Sequence, residues 1–353
     1  MDARAHEPGS AEPVRLVLSV APRWRVPLLV LGFASLALGV AGGLVRLGAS
    51  IPAPAGAIAL HGALMVSGFL GTVIGLERAV ALGRLWAYAA PLASGLGGVC
   101  LIAGLVVPGF ALMIFAAAAL VAASAAVFAR QRSLEMATLF AGALAWLAGN
   151  LFLLGGQPAV PWWIAFFALT IGGERLELSR YLKRTPAVRS AFLVIAVLLM
   201  ITPLAPRMMG VVLLLLALWL FAFDLARVTV RQTALPRYVA VCLLSGYAWL
   251  ALGGALLAAA SAVDAALHAI FVGFVFSMVF GHAPVILPAV LRVSLPYSSV
   301  LYLPLALLHA SLAIRVFVST SAGAWGNAAA IALFIATAAT LVLSRASSAR
   351  PRR

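Results

Sequence analysis

Acidic residues are scarce in this chain: nine Asp and Glu in 353 residues, against 24 Lys and Arg, and Lys183 is the only lysine. Charged residues make up 9% of the sequence, 65% is hydrophobic, and the mean hydropathy is +1.14. Too little polar surface remains to coat a water-soluble domain. Cysteine is nearly missing as well. Cys100 and Cys242 stand alone inside apolar runs, which excludes a disulfide scaffold, a CxxC redox pair and a four-cysteine zinc site; both read as small buried hydrophobes. On a soluble protein a net charge of +15 would point to nucleic acid. Here apolar runs separate the charges, so they describe membrane topology, and the expected partner is a lipid bilayer with no nucleic acid.

A bilayer-spanning helix needs about 20 mostly apolar residues. Cutting the chain at charges and Pro/Gly clusters gives twelve segments: 26–45, 56–76, 86–106, 109–129, 134–154, 158–173, 190–205, 208–226, 238–260, 263–291, 297–318 and 323–344. The expected fold is an all-α polytopic membrane protein of about twelve transmembrane helices. Residues 1–25 form an N-terminal tail, 26–344 the transmembrane domain and 345–353 a basic C-terminal tail. Pro284 and Pro288 predict a kink near the end of the tenth span. Of the 24 basic residues, 21 fall on one side of this topology and 3 on the other. That asymmetry places both termini in the cytoplasm. The first apolar run is too long for a cleavable signal core, so span 1 is expected to stay.

A weak repeat accompanies the spans. Ile74-Gly75-Leu76-Glu77-Arg78 ends span 2, and Ile171-Gly172-Gly173-Glu174-Arg175 ends span 6, 97 residues later. His61 before Gly68-Phe69 in span 2 is echoed by His268 before Gly273-Phe274 in span 10. Correspondence of spans 2, 6 and 10 implies three blocks of four helices; an interfacial Glu-Arg pair at each span end is the plainer explanation.

Ionisable side chains inside a span are costly, so they are functional candidates by default. His6 lies in the tail, whereas His61, His268, His282 and His309 all fall within spans. At about 1.5 Å per residue, His61 and His268 lie roughly 8 Å and His309 roughly 13 Å below the outer face. His282 is four turns further along span 10 than His268, on nearly the same face. Neutral imidazole is a natural ligand for haem iron and for copper, and two histidines on facing helices make a six-coordinate haem. His61, His268 and His309, at similar depth on three helices, are the candidate ligands, with His282 further along span 10. Arg46 and Arg315, on the outer side, are candidate partners for haem propionates, or simply snorkel to the interface. Gly62, Gly68, Gly71 and Gly273 would let a flat macrocycle approach the backbone, or serve as ordinary packing residues. Asp264, Glu135 and Asp224 are expected at the interfaces, Trp162-Trp163 and Tyr297 in an aromatic belt, and a paired intramembrane carboxylate relay is not expected.

Twelve spans, His61-Gly-Ala-Leu-Met65-Val-Ser-Gly68-Phe69, and His268-Ala-Ile-Phe-Val-Gly273 followed by Met278 resemble the NnrS family of bacterial inner-membrane proteins. The resemblance implies a haem- and copper-binding protein of nitric-oxide response, denitrification or electron transfer, served by a membrane redox partner. More distantly, the chain is similar to subunit I of haem-copper oxidases, whose low-spin haem is held by histidines of spans 2 and 10; the resemblance implies His61 and His268 as the axial ligands, with His309 and His282 as alternative ligands or members of a second, copper, site. Spans 6 and 7 here contain no histidine, so the oxidase copper site cannot be assembled. The rival expectations are a multi-pass transporter with a histidine-lined cavity and an assembly subunit completed by its partners.

Overall fold

The computed structural model describes residues 20–179, 182 and 185–348. Among them there is no β-strand, and twelve long helices follow one another: α1 Pro22–Arg46, α2 His61–Leu82, α3 Leu85–Ile102, α4 Val106–Arg130, α5 Leu134–Leu154, α6 Val160–Leu178, α7 Pro186–Leu204, α8 Pro206–Phe223, α9 Ala234–Ala258, α10 Val263–Leu291, α11 Ser299–Phe317 and α12 Thr320–Ser348. Eleven are long and apolar enough to cross a membrane; α6 is the exception, because Glu174, Arg175 and Glu177 crowd into its last turns and no 18-residue stretch of it escapes them. Large apolar side chains such as Val107, Phe115, Leu204 and Leu303 are exposed around the outside, a surface suited to lipid and not to water. The protein is an all-α polytopic membrane protein.

Several boundaries differ from the sequence reading, each for a physical reason. The sixth span was expected to stop at residue 173 because Glu174-Arg175 follows, yet α6 runs on to Leu178. The charge is tolerated because Arg175 donates through Nε and Nη2 to the Asp224 carboxylate at 2.8 and 3.1 Å. Asp224 is therefore fully buried, not interfacial. At the N-terminus the helix begins at Pro22, inside the expected tail, because Arg25 is folded into the protein. Its guanidinium donates to Val20 O at 2.8 Å and to Val290 O at 2.6 Å. Val290 is in the last turn of α10, so Arg25 satisfies a carbonyl that the helix end leaves free. Likewise α12 continues past residue 344 to Ser348. The remaining tail segments, 1–19 with His6 and 349–353, lie outside the described residues.

The second span is broken where one continuous helix was expected. A short helix, Ala55–Ala59, ends at Leu60 (φ −117°, ψ 28°), and α2 starts afresh at His61. α10 continues through Pro284 and Pro288 to Leu291 and stops at Arg292 with φ 57°. α2 and α10 share a feature no span count foresees: each contains eight residues of π-helix, Leu64–Gly71 and Ala269–Phe276. A shift of 205 residues superposes the two segments and pairs Gly68 with Gly273, Phe69 with Phe274, Thr72 with Ser277 and Glu77 with His282. The local bonding repeats too. Thr72 Oγ1 donates to Gly68 O at 2.7 Å and Ser277 Oγ to Gly273 O at 2.5 Å, satisfying carbonyls in the wider π turns. This correspondence extends the sequence repeat, and the helices carrying it lie together: Phe69 stacks on Phe276 at 6.2 Å, and Phe167 of α6 meets Phe271 edge-on at 6.0 Å.

α6 is enclosed by other helices from Trp163 through Gly173, every residue of that stretch being buried. A hydrogen-bonded knot holds α2 to α3, α4, α5 and α6. Ser67 Oγ donates to Asn150 Oδ1 at 3.0 Å and accepts from Trp146 Nε1 at 3.0 Å; Asn150 Nδ2 donates to Met113 O at 3.0 Å; Trp163 Nε1 donates to Asn150 Oδ1 at 3.1 Å; and Ser94 Oγ donates to Ser67 O. Trp163 is thus a core residue and does not belong to an aromatic belt. Asn150→Leu strands Trp163 Nε1 and Met113 O, a cost of about 1–3 kcal/mol. The expected result is a thermal midpoint in detergent several degrees below that of the parent chain.

Candidate functional site

Near the start of α2 and α10 the bundle encloses a cavity of about 330 Å³. Its wall holds His61, His268, Arg46 and Arg315 together with Asp264 and Asn327. Four residues flagged in the sequence for one site, on four different helices, meet here. His61 is the first residue of α2, and it lies within electrostatic reach of Arg46, His268, Arg315 and Asp264.

The two imidazoles are prepared differently. His268 places Nδ1 at 2.7 Å from the Asp264 carbonyl and 3.3 Å from Asp264 Oδ1. Both partners accept, so Nδ1 carries the hydrogen and Nε2 keeps its lone pair. That is the support a ligating histidine ordinarily receives. His61 makes no side-chain hydrogen bond among the described residues, which leaves its ring free to turn towards a ligand. Asp264 in turn accepts from Arg315 Nη2 at 3.1 Å. It is half-exposed but joins His268 to Arg315, a role beyond the interfacial one expected of it. Glu135, by contrast, sits in the first turn of α5, behind the Ser133 cap, and pairs with Arg189 at 2.9 Å.

The wall also holds donors in want of acceptors. Arg315 Nε and Asn327 Nδ2 are buried and without a hydrogen-bond partner; Asn327 Oδ1 is already taken by Ser311 Oγ at 2.6 Å. Burying such groups unpaired is costly, and a carboxylate-bearing ligand would satisfy both. The wall thus combines two imidazoles with guanidinium and amide donors, a set whose chemistry suits a haem and its propionates. Asn327 was missed in the sequence, although a signal exists: the chain has two asparagines, Asn150 and Asn327, and both lie buried inside spans. Asp264 was legible as the residue four before His268, on its helical face.

Other expected members do not join this site. His309 accepts from Trp249 Nε1 at 3.0 Å through Nδ1, with the rings stacked. Trp is a donor only, so the hydrogen of His309 is on Nε2, which is buried without a partner. In that state neither nitrogen offers a metal its lone pair. His282 sits 14 residues beyond His268, about 21 Å along α10, and lines a different cavity. Among the described residues no group of three or more His, Cys, Asp or Glu is arranged to hold a metal ion, so the four histidines do not form one ligand set. The glycines divide as well. A Cβ at Gly68 would lie 2.7 Å from Ser35 Oγ, one at Gly71 2.5 Å from Trp146 Cζ2, and one at Gly273 would collide with Trp249. Those three seat neighbouring helices. Gly62, with nothing nearer than 3.9 Å, lines the cavity.

No curated protein and no solved structure matches this chain. The family model described as "Domain of unknown function (DUF8744)" matches residues 25–343, a stretch that begins inside α1, ends in α12 and takes in His61, His268, Arg46 and Arg315, so the chain belongs to the DUF8744 family.

Proposed function

We propose that this protein binds one haem in the His61–His268 cavity, with those two side chains as axial ligands and Arg46, Arg315 and Asn327 holding the propionates. The supporting observation is the pairing of an oriented imidazole and a free one in a single cavity rimmed by orphaned donors. Haem bound there supplies one-electron chemistry and a site for nitric oxide, as the NnrS resemblance implies. The chain itself ligates, orients and shields. Asp264 keeps His268 in one tautomer, and Arg315 ties Asp264 to α11. Copper is left out of the proposal, because His309 and His282 are elsewhere. The basic asymmetry orients the chain in a bacterial inner membrane with both termini in the cytoplasm and the haem towards the outer face. A redox partner docks at the membrane.

The test is an absorption spectrum of protein purified from haem-replete cells. A Soret band with the sharp visible bands of a six-coordinate low-spin haem is expected, at about one haem per chain by pyridine haemochrome. Haem-free protein under those conditions overturns the proposal. A carrier is the second reading, supported by a specific feature: Leu70, Phe276 and Ile331 line both this cavity and the one at the other end. A single layer of side chains separates them, as in a gated pathway. Substrate-coupled proton flux in liposomes by cofactor-free protein would decide for it.

A further inference from the structure

The second cavity, about 470 Å³, lies towards the opposite ends of α2, α6 and α10. Its lining is apolar except for Glu77, Glu174, His282 and Thr170. The first three hold equivalent positions in the repeat: a shift of 97 residues carries Glu77 onto Glu174, and one of 205 carries it onto His282. Three helices therefore deliver one titratable side chain each to a common space. This contradicts the expectation that the chain lacks paired intramembrane carboxyls. Glu77 is within electrostatic reach of Glu174 and His282. Among the described residues neither glutamate is in an ion pair.

The polar end is rich in acceptors. His282 Nδ1 lies 2.9 Å from Met278 O; that carbonyl only accepts, so Nδ1 carries the hydrogen and Nε2 presents a lone pair. Two carboxyl groups add to it. Arg78, Arg175 and Glu177 lie within electrostatic reach of Glu174, and Arg175 is already engaged by Asp224, so carboxyls outnumber guanidinium groups at this end. A fatty acid would bring one more carboxyl to this acidic end. A neutral head bearing hydroxyl donors matches it. The remaining wall suits a flat ring and an apolar tail: Phe280 and Phe334 stack face to face at 3.9 Å, and the exposed side chains Phe33 on α1 and Ile335 and Leu343 on α12 rim a lateral opening towards lipid.

We infer that this cavity binds a lipid-soluble hydroquinone, entering between α1 and α12, its ring hydroxyls donating to Glu77, Glu174 and His282. The site is distinct from the haem cavity, and its test does not depend on haem content. Full-length protein in phospholipid nanodiscs is titrated under argon with decylubiquinol and, separately, decylubiquinone, and retention is measured above that of empty discs. Saturable retention of the quinol at about one per chain is expected, with the quinone weaker. The double variant Glu77→Gln, Glu174→Gln is expected to lower quinol affinity about tenfold, through loss of charge-assisted acceptors, and not to lower that of the quinone. Ala338→Phe, on α12, a helix that contributes only apolar side chains to the lining, fills the cavity from that side and is expected to abolish binding of both. Quinol retention equal to that of empty discs overturns the inference, as does quinol affinity unchanged in both variants. Saturable displacement of the quinol by oleate or tetraphenylphosphonium with the same dependence on Glu77 and Glu174 overturns the ligand class.

Discussion

Replacing His61 or His268 by alanine is expected to abolish the Soret absorbance of the purified protein, while His309→Ala and His282→Ala leave it in place. The asymmetry follows from geometry. The rings of His61 and His268 line one cavity; His309 spends its lone pair on Trp249, and His282 belongs to the other end of the bundle. Losing one axial ligand is expected to reduce haem retention beyond the roughly 10–100-fold that a missing supporting partner costs. Asp264→Ala tests that smaller effect. It leaves the backbone carbonyl that orients His268 but frees Arg315, so weaker retention with an intact low-spin spectrum is expected. Equal Soret intensity in all four histidine variants would refute the ligand assignment, and imidazole added to His61→Ala restores the low-spin bands if the cavity is otherwise intact.

The largest expected loss of stability follows Asp224→Leu. Asp224 is fully buried and accepts three hydrogen bonds, two from Arg175 and one from the Ala226 amide at 2.6 Å. Removing it leaves the Arg175 guanidinium buried and uncompensated inside the bundle. Breaking such a pair costs about 3–5 kcal/mol, whereas replacing both partners by apolar residues is often near neutral. Asp224→Leu is therefore expected to fail to accumulate, or to unfold far below the parent in a detergent thermal scan, and Arg175→Leu, Asp224→Leu together to recover much of the loss. A double variant no more stable than the single one would show that Asp224 acts through the Ala226 turn.

The polytopic all-α fold was legible because lipid imposes it: no exposed backbone is tolerated in hydrocarbon, so every crossing leaves an apolar run of about 20 residues; the sequence shows twelve such runs, and eleven of the helices are long and apolar enough to cross. Span ends were less legible. Glu174-Arg175 cut the sixth run in sequence, whereas in space Asp224, 49 residues away, neutralises the arginine. The histidine site was half-legible. The cost of burying imidazole singled out four residues, but sorting them required knowing which nitrogen each neighbour occupies. Trp249 and His309 are 60 residues apart, a pairing no local pattern encodes. The carboxyl pair at the other end was visible only as a repeat, and Glu77-Arg78 and Glu174-Arg175 looked like self-neutralising interfacial pairs.

What the sequence determined by itself is the solvent of this protein, its all-α polytopic architecture and the scarcity of polar groups that makes each buried one informative, because these depend on composition and run length alone. The tertiary structure decided which of those groups meet. It broke the second span at Leu60, widened α2 and α10 into matching π-helices, gathered His61 and His268 with Arg46 and Arg315, and set Glu77, Glu174 and His282 around a separate cavity. Such meetings depend on contacts between residues far apart in the chain, and on the tautomers those contacts select.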